Sequence, residues 1–414
     1  MMYERRVVVT GAGAITPVGN SVREMWDNLV AGKNGIAPIT LFDTTGYKAT
    51  LAAEVKDFDP LRYMKKLEAV RADRYTQFAV AAAKEAMEDS GIEGTIDPER
   101  FGVYLGGGIG GIRTLEEEHI KLLQKGPHRV SSLFIPMMIA NMAAGTLAIR
   151  YHCRGSVMPI VTACASGSNA IGEAARLIRH GYADAVISGG TEAAISPMAV
   201  AGFANMQALS TATDPNKAAL PFDKRRNGFV MGEGSVVLIL EEYGRAVERG
   251  ARIYGEICGY GSTCDAYHMT AVSPDGSGGA RAIRVAMKEA GFRKEELVYI
   301  NAHGTGTPMN DSTETKAIKA ALGDDAAAKV LVSSTKSMTG HMLGAAGAIE
   351  ALVCLLTLRE KVIPPTINLL EADPVCDLNY TPCRASMAEP TLALSNSFGF
   401  GGHNACLAMR EVRD

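Results

Sequence analysis

Cys164 stands in VTACASGSNAIG (161–172), with small residues on both sides, a β-branched run before it and a helix-forming stretch after it. A cysteine between two alanines is more often a small buried hydrophobe than a nucleophile. A thiol that ends a strand and opens a helix, however, feels the positive end of the helix dipole, which favours its thiolate. The small neighbours leave room for a carbonyl to approach, the logic of a nucleophile elbow. His303 in NAHGTGTPMND (301–311) ends an apolar run and precedes a Gly/Thr turn, which suits either a structural role or acid–base chemistry. In SSTKSMTGHMLGAAGAIE (333–350), Lys336 and His341 precede a helix carrying Glu350. A buried lysine needs a carboxylate, which Glu350 or Asp311 can supply. If His341 opens that helix, the dipole disfavours imidazolium and leaves a neutral hydrogen-bond donor. SNSFGFGGHN (395–404) reads as a hairpin turn or as backbone N–H groups facing a ligand under an aromatic ring.

The elements that must position these residues follow from periodicity. Short β-branched runs at 6–10, 101–106, 158–163, 185–190 and 236–241, then at 254–261, 298–304, 330–335, 393–400 and 405–409, alternate with helical patterns. Continuous apolar strands between helices predict an α/β architecture with buried sheets. A strand, a small-residue turn and a helix occur once in each half, which suggests duplication, with a boundary near residue 250.

The 414 residues exceed the size at which one core stops growing. A net charge of −3 gives no electrostatic case for nucleic acid, and no apolar run reaches the roughly 18 residues of a membrane span. The start reads as a first strand rather than a secretory signal. Eight cysteines without a CxxC pair argue against a zinc ribbon and for reduced thiols, hence a cytoplasmic protein. GGGIGG (106–111) satisfies G-x-G-x-x-G after a strand, but no acidic residue ends a following strand, so a packing turn is favoured over a dinucleotide site. TGAGAITPVG (10–19) fits that fingerprint less well.

In register along the chain, RVVVTGAGAITPVGN, GGGIGGI, VTACASGSNAIG, PFDKRRNGFVMGEG, NAHGTGTPMND, SSTKSMTGHMLGAAGAIE, VIPPTINL and NSFGFGGHN resemble the β-ketoacyl-acyl carrier protein synthases, type II elongating condensing enzymes, over essentially the whole length. The resemblance implies a thiolase-like α/β fold of two related βαβαβαββ halves, 1–250 with the nucleophile and 251–414 with two histidines and a gating loop, in a five-layered αβαβα core. It implies a homodimer; no cofactor is expected and no metal ligand is assigned, with a structural metal ion left open. Cys164 would carry the acyl thioester. His303 and His341 would hold the malonyl carbonyl while carbon dioxide leaves. Lys336, paired with Glu350, would keep them in place, with Asp311 and Glu314 in the polar shell. Backbone N–H groups of Cys164 and Phe400 would hold the oxyanion, and Phe400, with Gly399, Gly401 and Gly402, would gate the chain. Ile109, Phe134, Ile135 and Phe203 match acyl-pocket positions. Lys65, Lys66, Arg71, Arg74, Lys125 and Arg129 would dock the acidic acyl carrier protein with its acyl and malonyl cargo. A His–His pair separates this pattern from initiating synthases, which use His with Asn, and from thiolases, which place a second Cys by the GFGG turn. The alternatives are a polyketide-type ketosynthase and a non-catalytic chain-length partner, which lacks the nucleophile.

Overall fold

The computed structural model describes residues 5–412. Its main sheet has ten strands: β1 (Val7–Ile15), β2 (Phe101–Gly106), β3 (Val157–Ile160), β4 (Ala185–Glu192), β5 (Gly234–Glu242), β6 (Gly255–Cys264), β7 (Val298–Asn301), β8 (Leu331–Ser333), β9 (Leu392–Gly399) and β10 (His403–Arg410). The spatial order is β8-β7-β9-β10-β6-β1-β5-β4-β2-β3. Within each half the order is therefore third, second, fourth, fifth, first. The parallel and antiparallel pairings repeat in the same places. Only the short antiparallel contact of Val8 with Glu256 and Val9 with Gly255 joins the two five-stranded sets. This is the thiolase-like layering: α1 (Arg74–Ser90) covers one set and α3 (Ser277–Glu289), with α4 (Pro308–Leu322) behind it, covers the other. Between the sets lie α2 (Ser166–Arg179) and α5 (Ala346–Glu360). Nearly every residue of α5 is buried, so it has no polar face, as expected for a helix covered on both sides.

The duplication extends to single glycines. A methyl group on Gly13 of β1 would lie 1.9 Å from the Ala82 carbonyl oxygen of α1, and one on Gly11 would lie 2.3 Å from that of Ala86. In the second half, Gly261 and Gly259 of β6 stand in the same relation to Ala282 and Ala286 of α3, at 1.9 and 2.1 Å. The glycines of TGAGA thus let a helix lie directly on the first strand of the first half; they do not cradle a phosphate.

Two local differences from the periodicity bear on the site. The third strand ends at Ile160, and Ala163–Ala165 form a 3-10 turn entered through a positive φ of 51° at Ala163. After the glycine-rich turn, 127–129 and 134–138 are helical, as the missing strand signal implies. The two sheet edges also differ. The edge at β8 is covered, because Val332 donates to the Asn379 carbonyl at 2.8 Å. The edge at β3 pairs only with β2 and leaves Met158 and Val161 47% and 55% exposed.

Gly13→Ala and Gly261→Ala each overpack a helix–strand contact. Each should lower stability by about 1–3 kcal/mol, read as a drop in Tm, because neither carbonyl oxygen can move without its helix.

Candidate active site

Cys164 is the middle residue of the 3-10 turn that opens α2, and it is only partly buried. The turn is held from several sides. Ser166 Oγ accepts from Thr162 N–H at 2.9 Å and donates to the Ala163 carbonyl at 2.6 Å, while Asn169 donates to Thr162 Oγ1 at 2.7 Å. Asn169 in turn accepts from the Tyr260 hydroxyl of β6 at 2.7 Å, so the second half orients the first half's cysteine.

His303 follows β7 in a turn fixed by two buried carboxylates. Glu314 of α4 accepts from the N–H groups of His303 and Gly304, both at 2.8 Å, and from Asn396 at 3.2 Å. Asp311 accepts from Phe222 N–H at 2.7 Å and Gly306 N–H at 3.2 Å, with Arg226 3.9 Å away. Asp311 therefore serves the Phe222 and Gly306 turns, and Lys336 pairs with Glu350 of α5. His341 is pinned by its backbone: its N–H donates to Val230 O at 2.7 Å and its carbonyl accepts from Gly232 N–H at 2.8 Å. The segment 221–234 is thus a scaffold for the histidine.

The two imidazoles meet nearly edge to face, with centroids 5.3 Å apart, and Phe229 lies against His341 at 5.2 Å. Both rings have pKa values well below the ordinary histidine range, first because burial penalises the cation and then because Lys336 repels it; His341 adds to the effect at His303. His341 lies ahead of the turn that opens α5, so burial and Lys336, more than the helix end, keep it neutral. Its Nδ1 accepts from Leu343 N–H at 3.3 Å, which places the proton on Nε2, available for donation.

The expectation of a thiolate favoured by the helix dipole is corrected. Burial pushes the Cys164 thiol up to about 12, opposed by Lys336 and reinforced by Glu192 and Glu350. The resting group is a thiol because desolvation outweighs the helix end at this depth. Glu314 and Glu350 are both raised to about 7 by burial, Glu350 against the pull of Lys336.

Cys164, His303 and His341 open into one cavity of about 100 Å³, with Phe203, Phe398, Gly399, Phe400 and Gly402 on its walls. A methyl on Gly399 would lie 3.3 Å from the Cys164 amide nitrogen, so the GFGG turn runs directly over that N–H. Gly401 and Gly402 have φ of 88° and 75°, and the Phe400 ring lies 6.4 Å from that of Phe203. Thr305, Thr307, Thr270, Asn310 and Asn404 also line the cavity. The sequence reading missed their role, although the first two stand in the quoted GTGT run.

Other placements differ from expectation. Ile109, Phe134 and Ile135 do not line this cavity; Ile109, in the glycine-rich turn, is partly exposed, and Ile135 faces outward because the helix at Phe134–Met138 lies on the protein's exterior in the single chain. Arg74 does not belong to an exposed basic dock. Its guanidinium is paired with buried Glu233 at 2.7 Å and lies over the Phe78 ring, because that buried carboxylate needs a partner. Lys65, Lys66, Arg71, Lys125 and Arg129 are exposed. The glycine-rich turn at 106–111 surrounds a carboxylate of the protein itself, Glu192, and offers no phosphate cradle. Among the described residues, no group of three or more His, Cys, Asp or Glu side chains is arranged to hold a metal ion, and no helix is long and apolar enough to cross a membrane.

A duplicated thiolase-like fold with a cysteine and two neutral histidines at the junction of its halves defines the condensing-enzyme class. The sequence profile described as Beta-ketoacyl synthase, N-terminal domain matches residues 4–246, and that of the Beta-ketoacyl synthase, C-terminal domain matches 254–370. The chain belongs to the beta-ketoacyl synthase family. It is 53% identical, over all of its length and 99% of the relative's, to 3-oxoacyl-[acyl-carrier-protein] synthase 2 of Synechocystis sp.. It is 49% identical, over 99% of both chains, to the protein of the same name from Staphylococcus aureus (strain COL). Among solved structures, a type II polyketide ketosynthase in complex with its acyl-carrier protein superposes with a TM-score of 0.92 at 37% identity, covering 99% of this chain and all of that one. The ishigamide ketosynthase/chain length factor superposes with a TM-score of 0.92 at 38% identity, with the same coverage.

A buried, uncharged thiol gives a sharp expectation. With Cys164 raised to about 12, alkylation of the free enzyme by iodoacetamide should keep accelerating through pH 9 and 10, whereas a plateau below pH 8 would signal a low-pKa thiolate.

Proposed function

We propose that this chain elongates fatty acyl chains as a 3-oxoacyl-[acyl-carrier-protein] synthase, condensing an acyl group held on Cys164 with malonyl-acyl carrier protein to give 3-oxoacyl-acyl carrier protein and carbon dioxide. The observation that carries it is the convergence of Cys164, His303 and His341, from both halves, on one cavity roofed by the GFGG turn. Identity of 49–53% with curated synthases of that name, against 37% with the type II polyketide ketosynthase structure, favours elongation over the polyketide reading. The retained Cys164 disfavours a non-catalytic chain-length partner.

The chemistry follows from the charge states. Cys164 loses its proton as its sulfur attacks the acyl thioester, the carrier thiol leaves, and the chain is stored as a new thioester. Acylation removes the titrating thiol, so a high resting pKa does not hinder the second half-reaction. The malonyl thioester then places its carbonyl oxygen between His303 and His341. Loss of carbon dioxide leaves an enolate whose charge two neutral N–H donors stabilise without the cost of a buried imidazolium. The carbanion attacks the Cys164 thioester, and the second oxyanion lies under the Cys164 and Phe400 N–H groups. Lys336 contributes by keeping both histidines neutral and by neutralising Glu350. The half 1–250 supplies the nucleophile and 251–414 the histidines and gate.

Cys164→Gln should abolish condensation but leave malonyl decarboxylation. His341→Ala should slow decarboxylation by about 10²–10³, the cost of one oxyanion donor. Acylation detected by mass spectrometry on a cysteine other than Cys164 would remove the nucleophile assignment.

Two partners accompany this reading. Lys65, Lys66 and Arg71, exposed beside the apolar Leu67 and Val70, suit an acidic carrier surface. The uncovered β3 edge suits a second copy of the chain, whose helix 134–138 would bring Phe134 and Ile135 toward the acyl pocket. Charge reversal at Lys65 and Lys66 should raise KM for the carrier with kcat nearly unchanged, and sedimentation velocity should give twice the chain mass.

A further inference from the structure

The turn that opens α5 repeats the turn that carries Cys164. Leu343–Ala345 form a 3-10 turn entered at φ 48°, as Ala163–Ala165 do at φ 51°, and each runs directly into an internal helix. Gly344 therefore occupies in the second half the place of Cys164 in the first. Cys164 itself lines the cavity, but the Gly344 N–H is already filled by the Glu192 carboxylate, 3.1 Å away. The oxygen that binds Gly344 also accepts from Gly108 N–H at 2.8 Å, and the other oxygen accepts from Ile109 N–H at 3.2 Å. Glu192 is fully buried at the end of β4, and the backbone N–H groups of Gly108, Ile109 and Gly344 donate to its carboxylate. A methyl group on Gly108 or Gly344 would lie 2.6 or 2.9 Å from its oxygen, so the glycines on both sides are what let the carboxylate in. One anion thus fastens the glycine-rich turn to the turn that runs from His341, through Leu343, into α5.

We propose that Glu192 is a positioning residue for condensation: its carboxylate locks the His341–Gly344 turn against the Gly107–Gly110 turn. This rests on the reading of Cys164 as the acyl-bearing nucleophile. Cys164 feels Glu192 as a raising influence, with Glu350 acting in the same sense and Lys336 in the opposite one. Tyr75 of α1 also senses Glu192. The glycine-rich turn and the Leu343–Ala345 turn contribute no titratable side chain. Burial raises Glu192 to about 7, against the pull of its backbone N–H partners. It is therefore ionised above neutrality, where the clamp carries its charge.

Glu192→Gln keeps the shape, removes the charge and turns an NH2 group toward at least one N–H donor. Kinetics and thermal stability of the full chain test the proposal. Condensation kcat at pH 8 should fall about tenfold with KM for the carriers little changed, the mark of displaced catalytic groups. A kcat within about twofold of wild type overturns the proposal. A lowered Tm with faster alkylation of Cys164 by iodoacetamide also overturns it, because that is the signature of a loosened fold. Absence of condensation in the wild type would refute the enzymatic reading itself, an outcome distinct from a loss confined to the variant.

Discussion

The close crossing of α2 and α5 at their first turns is the constraint on which the rest of the structure depends. A methyl on Gly167 would lie 2.9 Å from the Ala348 nitrogen, and one on Gly347 would lie 2.3 Å from Ser168 Oγ. Backbones this close leave no room for side chains, so both helices must begin with small residues. Their opening turns are thereby held at the centre of the molecule, between two sheets. Cys164 and Gly344 lie on those turns, and the histidines come from loops that end against them. Had the helices been separated by ordinary side chains, thiol and imidazoles could not share a cavity of about 100 Å³.

Placing chemistry at that depth makes burial the dominant electrostatic influence. The thiol is held protonated and both imidazoles neutral, mainly because charged forms lose their hydration there. The carboxylates act chiefly as backbone clamps. Glu314 holds the His303 turn, Glu192 the Gly344 turn, and Asp311 joins the turns at Phe222 and Gly306. Lys336 and Glu350 pair directly. The lysine also biases the histidines, which then donate hydrogen bonds without carrying charge. This suits a reaction whose negative charge appears on carbonyl oxygens and then disappears.

Much of this was legible in the residues. Alternating apolar runs and helical patterns marked the strands, and repetition of a small-residue turn before a helix marked the duplication, because both signals are local. Cys164, His303, Lys336 and His341 stood out by chemical type at strand ends, and Glu350 lay on the helix that follows Lys336. The glycine clusters were visible, GGGIGG matching a nucleotide-turn pattern and TGAGA matching it less well; the packing reading already favoured for them is made concrete by the carboxylate and the helix that fill them.

What the chain alone determined, then, was the inventory: which groups can react, and on which strand–turn–helix units they ride. Tertiary structure decided their state and their company. The thiol's high pKa, the burial of Arg74 against Glu233, the exposure of Ile109 and Ile135 and the role of Glu192 all depend on residues tens to hundreds of positions apart. Desolvation and hydrogen-bond partners are properties of packed surroundings, and periodicity along a chain does not encode them.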